Sequence, residues 1–130
     1  MKMNSKLICD VEYIRKNIEK EESVIIDSRA GNRYLGIEEP LDKKAGHIPG
    51  AVNYFWKDNF EDNKIKDLKT LEERFEEVND YKNIIVHCGS GVSACVNILV
   101  MCEIGLDPIL YLGSWSDWIS YEDNLIISEK

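Results

Sequence analysis

The segment from residue 84 to residue 100 constrains the fold most, because it places a cysteine between a predicted strand and a predicted helix. An apolar run at residues 84–86 leads into HCGSGVSA, and apolar residues at helical spacing follow from residue 96. Gly89 and Gly91 allow a tight turn whose backbone N–H groups, with the start of the helix, point to one spot. The helix N-terminus favours the nucleophilic thiolate form of Cys88. Most cysteines in cytosolic proteins are buried and inert, but the glycine-rich turn argues for a functional thiol here.

Apolar runs and amphipathic segments alternate along the chain. Strands are predicted at residues 7–9, 24–27, 83–87 and 109–112, an apolar piece at 51–55, helices at 11–18, 68–78 and 93–104, a polar loop at 28–46, helix caps at Asp10 and Ser114, and a helix stop at Gly105. The continuous apolar run at 24–27 is typical of a strand buried on both faces of a parallel sheet. This order predicts an α/β domain with a mainly parallel sheet and helices on both faces. Ligands of such sheets bind beyond the carboxyl ends of the strands, where Cys88 lies.

Size and charge narrow the range of functions. With 130 residues, the chain is expected to form one domain, residues 1–130. Asp and Glu number 24 against 16 Lys and Arg, for a net charge of −8, which disfavours nucleic acid and anionic membrane surfaces as partners. The N-terminus lacks a signal-peptide core, and no apolar run approaches about 18 residues. We expect a soluble, cytoplasmic protein.

The four cysteines do not have the spacing of a disulfide framework or a metal site. Cys88, Cys95 and Cys102 recur every seven residues, so the last two lie on one helix face with about 10 Å of rise between them. That separation is too large for a disulfide or a shared zinc ion. We therefore expect no metal and no other cofactor, and we predict that Cys9, Cys95 and Cys102 are core or near-core fillers in a reducing compartment, in preference to a redox or metal role.

The motifs DSR, NRY, EEP, GHIPGAVN, HCGSGVSA and GSWSDW occur in this order over residues 24–118. Together they resemble the rhodanese superfamily, most closely the C-terminal catalytic domains of its 3-mercaptopyruvate and thiosulfate sulfurtransferases. The resemblance implies a rhodanese-like α/β fold in which Cys88 takes a sulfur atom from a small-molecule donor as a persulfide. It implies a thiol acceptor, either a small thiol or a thioredoxin-like protein. The implied site residues are Arg33 for the substrate carboxylate, Ser90 as a catalytic hydroxyl, and Gly89, Gly91, Val92 and Ser93 in the active-site loop.

Two departures from the family pattern bear on substrate and partners. Leu41 stands where related enzymes have a second arginine after the Glu-Pro pair, which leaves Arg33 to hold a carboxylate alone. Tandem members also have an inactive first domain, so a second rhodanese-like domain outside this chain is a possible partner. The loop from Cys88 to Ser93 contains no Lys or Arg, which favours the monoanion mercaptopyruvate over the dianion thiosulfate.

Other interpretations of the same residues stay open. A cysteine phosphatase needs an arginine six positions after the nucleophile for bidentate phosphate binding, and that position is Ala94. A non-catalytic or partner-dependent sulfur-carrier module is the alternative to a complete enzyme. His87 is expected to point away from the Cys88 sulfur because neighbouring strand side chains alternate in direction. The other expectations are a backbone contact for His47 in its turn, a buried ion pair between Asp27 and Arg29, and core or rim packing for Trp56, Trp115 and Trp118.

Overall fold

The centre of the fold is a five-stranded sheet in which every strand runs parallel to its neighbours. The computed structural model describes residues 7–89 and 93–128. The strands are β1 (Ile8–Cys9), β2 (Ser23–Asp27), β3 (Val52–Asn53), β4 (Phe60–Glu61), β5 (Lys64–Ile65), β6 (Asn83–His87) and β7 (Ile109–Tyr111). The sheet order is β1-β7-β6-β2-β3, and β4 and β5 form a separate antiparallel hairpin. The predicted α/β architecture with a mainly parallel sheet is confirmed.

Helices cover both faces of this sheet. They are α1 (Val11–Asn17), α2 (Gly31–Leu35), α3 (Leu68–Arg74), α4 (Ala94–Glu103) and α5 (Ser114–Trp118), with 3₁₀ turns at Trp56–Asn59 and Val78–Asp80. Residues of α1 and α5 join a core cluster with Ile25 of β2, whereas residues of α3 and α4 join a second cluster with Val24 and Ile26. Strand side chains alternate between the faces, so the middle of β2, residues 24–26, must be apolar on both sides. Within the described ranges no helix is long and apolar enough to cross a bilayer.

Two helix ends form as their sequences predict. Asp10 precedes α1, and its carboxylate accepts a hydrogen bond from the backbone N–H of Tyr13 at 3.1 Å, which satisfies one donor of the first turn. Gly105 follows α4 with a φ of 88°, a left-handed conformation that glycine adopts without a steric penalty. The chain then leaves the helix, and the Leu106 N–H donates to the Met101 carbonyl at 2.9 Å.

Other boundaries differ from the prediction. The loop at 28–46 contains the short helix α2, and the predicted helix at 68–78 ends at Arg74 before a 3₁₀ turn. The predicted helix at 93–104 begins at Ala94. Ser114 is wrong as a cap, because it lies within α5 and makes no capping hydrogen bond. The hairpin of β4 and β5 was not predicted, although Asp62 and Asn63, with φ of 51° and 64°, have the residue types that such two-residue turns favour.

The four cysteines are all thiols outside any disulfide, and two of them are buried and two exposed. Cys9 is 7 % exposed and joins the core, which confirms its prediction. Cys95 and Cys102 are exposed, so the core-filling prediction is wrong for them. Their spacing does place them together on α4, but that helix buries Asn97 and Val100 against the sheet instead. Periodicity finds a helix face, whereas the docking of the helix decides which face is buried.

Candidate active site

Cys88 directly follows β6, the central strand of the sheet, which has β7 on one side and β2 on the other. The residue is only 2 % exposed. Its backbone N–H donates to Ser114 Oγ at 3.1 Å, and its carbonyl accepts from the Trp115 N–H at 2.9 Å. The Gly89 carbonyl accepts from the Ser116 N–H at 3.0 Å. Ser114 reaches this position with a φ of 57°, a conformation uncommon outside glycine. Ser114 therefore holds the backbone of Cys88 in place, a role that its predicted capping function did not include.

The predicted active-site loop is described only at its two ends. Gly89 and Ser93 line the same cavities as Cys88, so the chain just before α4 lies beside the thiol. Ser93 occupies the N-cap position of α4 but makes no side-chain capping hydrogen bond. Ser90, Gly91 and Val92 lie outside the described residues. The ring of backbone N–H groups expected from the sequence therefore stays a prediction.

Arg33 is brought next to Cys88, as its predicted substrate role requires. It lies in the last turn of α2 and lines a cavity of about 190 Å³, here called the Asp42 cavity. That cavity is lined by Arg33, Leu41, Asp42, Cys88, Gly89, Ser93 and Ser116. A β-carbon built on Gly89 would lie 3.2 Å from Arg33 Nη2, so glycine permits the close approach of this guanidinium to the backbone beside the thiol.

Two carboxylates already hold the Arg33 guanidinium. Its Nη2 lies 3.1 Å from Glu39 Oε2 and 3.2 Å from Asp42 Oδ2. The Glu39 side chain is 5 % exposed and also accepts the backbone N–H groups of Leu41 and Asp42, each at 3.1 Å. The Asp42 side chain is 18 % exposed. An anionic ligand that reaches Arg33 would therefore compete with Asp42 more readily than with Glu39.

A buried ion pair lies behind Arg33. Arg29 Nη2 is 2.7 Å from Asp27 Oδ2, with side-chain exposures of 1 % and 0 %, and it also donates to the Gly46 carbonyl at 2.6 Å. Arg29 Nη1 is 3.3 Å from Glu39, and its guanidinium stacks 4.6 Å from the centroid of Trp115. The predicted buried pair is confirmed. It joins the strand end of β2 to the carboxylates around Arg33.

His87 points to the face of the sheet opposite Cys88. It pairs in register with Asp27, its ring meets Tyr111 edge-on, and its Nδ1 is 3.0 Å from the Cys88 carbonyl. Its Nε2 is 3.9 Å from Asp27 Oδ2 and has no hydrogen-bond partner among the described residues. Burial lowers the pKa of His87, so the ring is neutral at neutral pH. The prediction that His87 packs away from the sulfur is confirmed.

The charge on Asp27 is maintained despite its burial. Burial raises the pKa of this carboxyl, but the charge of His87 when that ring is protonated, together with the hydrogen bonds and charge of Arg29, outweighs that effect and lowers the pKa overall. Because burial keeps the His87 ring neutral, Arg29 is the cation that balances Asp27 at neutral pH.

A second cavity, of about 230 Å³, adjoins Cys88 and is here called the Trp56 cavity. It is lined by Arg29, Ala30, Arg33, Phe55, Trp56, Lys57, Cys88, Gly89 and Ser93. Lys57 Nζ lies 5.5 Å from the centroid of the Trp56 ring. Sequence reasoning expected core or rim packing for Trp56 and missed Lys57 and Asp42 as neighbours of the thiol. The signal that could have found Asp42 was an acidic residue close to Arg33 in the loop EEPLD.

Asn97 ties the wall of the Trp56 cavity to α4. This residue is fully buried, and its Nδ2 donates to Ser28 Oγ at 2.8 Å and to the Tyr54 carbonyl at 2.7 Å. Its Oδ1 accepts from Asn59 Nδ2 at 2.8 Å. Asn59 ends the 3₁₀ turn that begins at Trp56. The backbone that presents Trp56 and Lys57 is therefore anchored at a buried network.

Other residues singled out in the sequence are structural. His47 Nδ1 is 2.7 Å from the Tyr34 carbonyl, and the two rings stack with centroids 3.9 Å apart, which confirms the predicted backbone contact. Trp115 and Trp118 are 0 % and 2 % exposed and pack in the core, as predicted. In the described ranges no cluster of three His, Cys, Asp or Glu side chains is arranged to hold a metal ion.

Two larger surface cavities lie outside the immediate surroundings of Cys88, although one of them shares Trp56 and Lys57 with the Trp56 cavity. One of about 410 Å³ is lined by residues of α3, by the chain that follows it, and by Ile104 and Leu106; one of about 510 Å³ is lined by Trp56, Lys57 and residues of the hairpin of β4 and β5. Neither contains Cys88. The smaller cavities are the better candidate site because they alone among these four combine a thiol with guanidinium groups.

Comparison with known proteins places most of the chain in one group. A family model described as a rhodanese-like domain matches residues 10–121. The chain is 34 % identical over 122 residues to a probable 3-mercaptopyruvate sulfurtransferase of Pseudomonas aeruginosa, covering 90 % of this chain and 43 % of that protein. It is 36 % identical over 113 residues to 3-mercaptopyruvate sulfurtransferase of Homo sapiens, covering 82 % and 38 %. It is 35 % identical over 127 residues to thiosulfate sulfurtransferase of Bos taurus, covering 89 % and 41 %. The chain thus spans less than half the length of each of these relatives.

The fold is also similar to solved structures of more distant sequence. The anaerobic ergothioneine biosynthesis enzyme from Chlorobium limicola, in complex with trimethyl histidine, matches with a TM-score of 0.86 at 17 % identity, covering 97 % of this chain and 33 % of that chain. The wild-type structure of EanB matches with a TM-score of 0.84 at 18 % identity, covering 95 % and 32 %. At this level of identity the similarity concerns the fold alone.

Proposed function

The chain belongs to the rhodanese-like family, and on that premise we propose that it is a sulfurtransferase that carries a sulfane sulfur on Cys88. The observation that carries the proposal is the position of this thiol at the carboxyl end of β6, where it lines two cavities together with Arg33. Its relatives named as 3-mercaptopyruvate and thiosulfate sulfurtransferases match over most of the chain.

The reaction has two transfers. In the first, the Cys88 thiolate attacks the sulfur of 3-mercaptopyruvate, an S–S bond forms, the C–S bond breaks, and the carbon leaves as the enolate of pyruvate. The enolate takes a proton, which the former donor thiol supplies, and an anionic persulfide is left on Cys88. In the second, an acceptor thiolate attacks the outer sulfur, the S–S bond breaks, and the Cys88 thiolate is regenerated. In this proposal the anionic sulfur is stabilised by backbone N–H groups of the active-site loop, which consists of Gly89, Ser90, Gly91, Val92 and Ser93.

The charges around the thiol support mercaptopyruvate as the donor in preference to thiosulfate. The loop from Cys88 to Ser93 contains no Lys or Arg, and the Arg33 guanidinium is already shared between Glu39 and Asp42. A dianion would meet more repulsion from these carboxylates than a monoanion. The acceptor in this proposal is a small thiol or a thioredoxin-like protein.

Steady-state sulfur transfer from mercaptopyruvate and from thiosulfate, measured side by side, tests the proposal. Intact-mass analysis after donor treatment should show one added sulfur atom in the parent protein and none in Cys88→Ser. The matched control is Cys95→Ser with Cys102→Ser, which removes the two exposed thiols and should leave both readouts unchanged. Sulfur addition to Cys88→Ser, or turnover that survives in it, would contradict the assignment.

Arg33→Ala tests the substrate contact. A charge-assisted hydrogen bond contributes about 1.5–3 kcal/mol, so kcat/KM for mercaptopyruvate should fall about ten-fold to a hundred-fold. The substitution also leaves Glu39 and Asp42 without this cation beside the thiol, which adds repulsion. Unchanged kcat/KM would remove the cationic contact on which the mercaptopyruvate assignment rests.

A sulfur-carrier function is the second candidate, because the chain spans less than half the length of the relatives compared above. A second rhodanese-like domain or another protein would then complete the site. The carrier function is favoured if Cys88 becomes persulfidated by a donor protein while neither small donor supports turnover. A phosphatase function is not expected, because Ala94 cannot supply a bidentate phosphate contact, and aryl phosphate hydrolysis above the Cys88→Ser background would contradict this.

A further inference from the structure

Lys57 is a cation beside the nucleophile that the proposed reaction does not yet use. It lines the Trp56 cavity together with Cys88 and Arg33. Its ammonium group lies over the Trp56 ring, 5.5 Å from the ring centroid. No carboxylate of the described residues lies within ion-pair distance of this ammonium group. Lys57 is therefore available to an anionic ligand, whereas the guanidinium of Arg33 is occupied.

The charge around Cys88 shows why such a cation matters. The connected network contains three carboxylates, Asp27, Glu39 and Asp42, and two guanidinium groups, Arg29 and Arg33. Since His87 is neutral at neutral pH because burial lowers its pKa, the network has one negative charge in excess. An anionic donor would be repelled by that excess charge unless another cation lies nearby.

The backbone of Lys57 is held in place although its side chain ends in solvent. The Trp56 N–H donates to the Ser28 carbonyl at 3.1 Å. At the other end of the 3₁₀ turn, the fully buried Asn59 donates to the Trp56 carbonyl at 2.9 Å and to Asn97 Oδ1 at 2.8 Å. The turn therefore presents Lys57 at a fixed distance from the end of β6. Only the four-carbon stem of the lysine has to move to follow a ligand.

We propose that Lys57 is the second cationic contact for the anionic group of the sulfur donor, and that the donor enters through the Trp56 cavity. This inference rests on the proposed function and names the residue that replaces the missing arginine at Leu41. Leu41 is 79 % exposed and carries no charge, so Arg33, for which Asp42 competes, is the one cation among the described residues that line the Asp42 cavity. On the Lys57 side the same Arg33 is combined with a lysine that has no described carboxylate partner.

Alkylation of Cys88 by two reagents of nearly equal size tests this inference without sulfur transfer. Iodoacetate is an anion and iodoacetamide is neutral, and both replace iodide by the thiolate sulfur. The rate constant for iodoacetate divided by that for iodoacetamide, both followed at the Cys88 peptide by mass spectrometry, measures the attraction of the site for an anion. Division by the iodoacetamide rate removes changes in thiolate reactivity or access. The exposed Cys95 and Cys102 do not interfere because the peptide is read separately.

Lys57→Gln should lower this ratio about three-fold to ten-fold, as expected for one charge at a partly solvated site. Lys57→Arg should restore most of it. Lys82→Gln is the matched control. Lys82 precedes β6, whereas Cys88 follows it, so the substitution removes the same charge at the opposite end of the strand and should leave the ratio unchanged. A ratio in Lys57→Gln equal to that of the parent protein, or an equal fall in Lys82→Gln, would overturn the inference.

Donor kinetics separate this result from the proposed function. If Lys57 binds the donor, kcat/KM for mercaptopyruvate falls in Lys57→Gln mainly through KM, because the contact binds ground state and transition state alike. If no donor supports turnover while the alkylation ratio still falls, the proposed function fails and the anion contact stands. If turnover is normal and the ratio does not fall, the function stands and the assignment of Lys57 is wrong.

Discussion

Neutralising Asp27 should destabilise the protein far more than neutralising a carboxylate in an exposed ion pair with a similar N–O distance. In the buried pair, Arg29 Nη2 and Asp27 Oδ2 are 2.7 Å apart with side-chain exposures of 1 % and 0 %. In the exposed pair, Arg15 Nη1 and Glu12 Oε1 are 2.6 Å apart with exposures of 30 % and 61 %. The shortest N–O distance is therefore nearly the same in the two pairs, which differ in burial and in hydrogen bonding, since Asp27 also accepts the backbone N–H and the Nε of Arg29.

The expected magnitudes follow from what each substitution leaves behind. Asp27→Asn keeps the shape of the side chain but leaves a buried guanidinium with only Glu39 as a charged partner, which costs about 3–5 kcal/mol. Glu12→Gln leaves a solvated arginine and costs about 0.2–1 kcal/mol. With a urea m-value of about 1–3 kcal/mol/M, the first change should move the unfolding midpoint by roughly 2 M. The second should move it by less than about 0.5 M.

Urea unfolding of the parent protein and the two variants measures these costs, and a double variant checks their cause. Asp27→Leu with Arg29→Met removes both charges, so its cost should be smaller by several kcal/mol than the summed costs of Asp27→Leu and Arg29→Met measured separately, because replacing a buried ion pair by apolar side chains is often neutral. If Asp27→Asn costs within about 1 kcal/mol of Glu12→Gln, or if the double variant is additive, the reasoning from burial is refuted.

Three further changes have defined outcomes. Burial lowers the pKa of His87, so the free energy of unfolding should fall as pH drops below the ordinary histidine value of about 6.5, by at most about 1.4 kcal/mol per pH unit. Measured from pH 7.5 to 5.5, this slope should disappear in His87→Asn and remain in His47→Gln. A parent protein with no such slope would contradict the sign of the prediction. Asn97→Asp should lower the free energy of unfolding by about 2–4 kcal/mol, because the amide that donates to Ser28 Oγ and to the Tyr54 carbonyl becomes an acceptor. Ser28→Ala should lower it by about 1 kcal/mol. Equal losses of stability in urea unfolding would contradict the hydrogen-bond network. Gly89→Ala adds a β-carbon 3.2 Å from a guanidinium nitrogen, so it should lower sulfur transfer several-fold while the unfolding midpoint stays nearly constant, and full activity would show that the close approach is unnecessary.

Local pattern was sufficient where one element decides the outcome. The apolar run of β2 predicted a strand buried on both faces, and Asp10 and Gly105 marked the ends of helices. The alternation of strand side chains was enough to direct His87 away from the Cys88 sulfur. In each case the physical cause lies within a few residues of chain, in side-chain direction or in the conformational freedom of glycine.

Contacts between distant segments could not be predicted in the same way. Ser114 was expected to cap a helix, but its hydroxyl accepts the N–H of Cys88, 26 residues earlier in the chain. Cys95 and Cys102 were correctly placed on one helix face and wrongly placed in the core. The reason in both cases is that the docking of α4 and α5 on the sheet depends on the whole packed interior.

The sequence by itself determined the fold class, the position of Cys88 at a strand end, and the pairing of Asp27 with Arg29, because these depend on periodicity and on neighbours in the chain. Tertiary structure alone decided the electrostatic surroundings of the thiol. Glu39 and Asp42 occupy Arg33, and Lys57 approaches the same site from a 3₁₀ turn beyond β3. Coulomb interactions depend on distance in space and on burial, and neither is encoded in the spacing of residues along the chain.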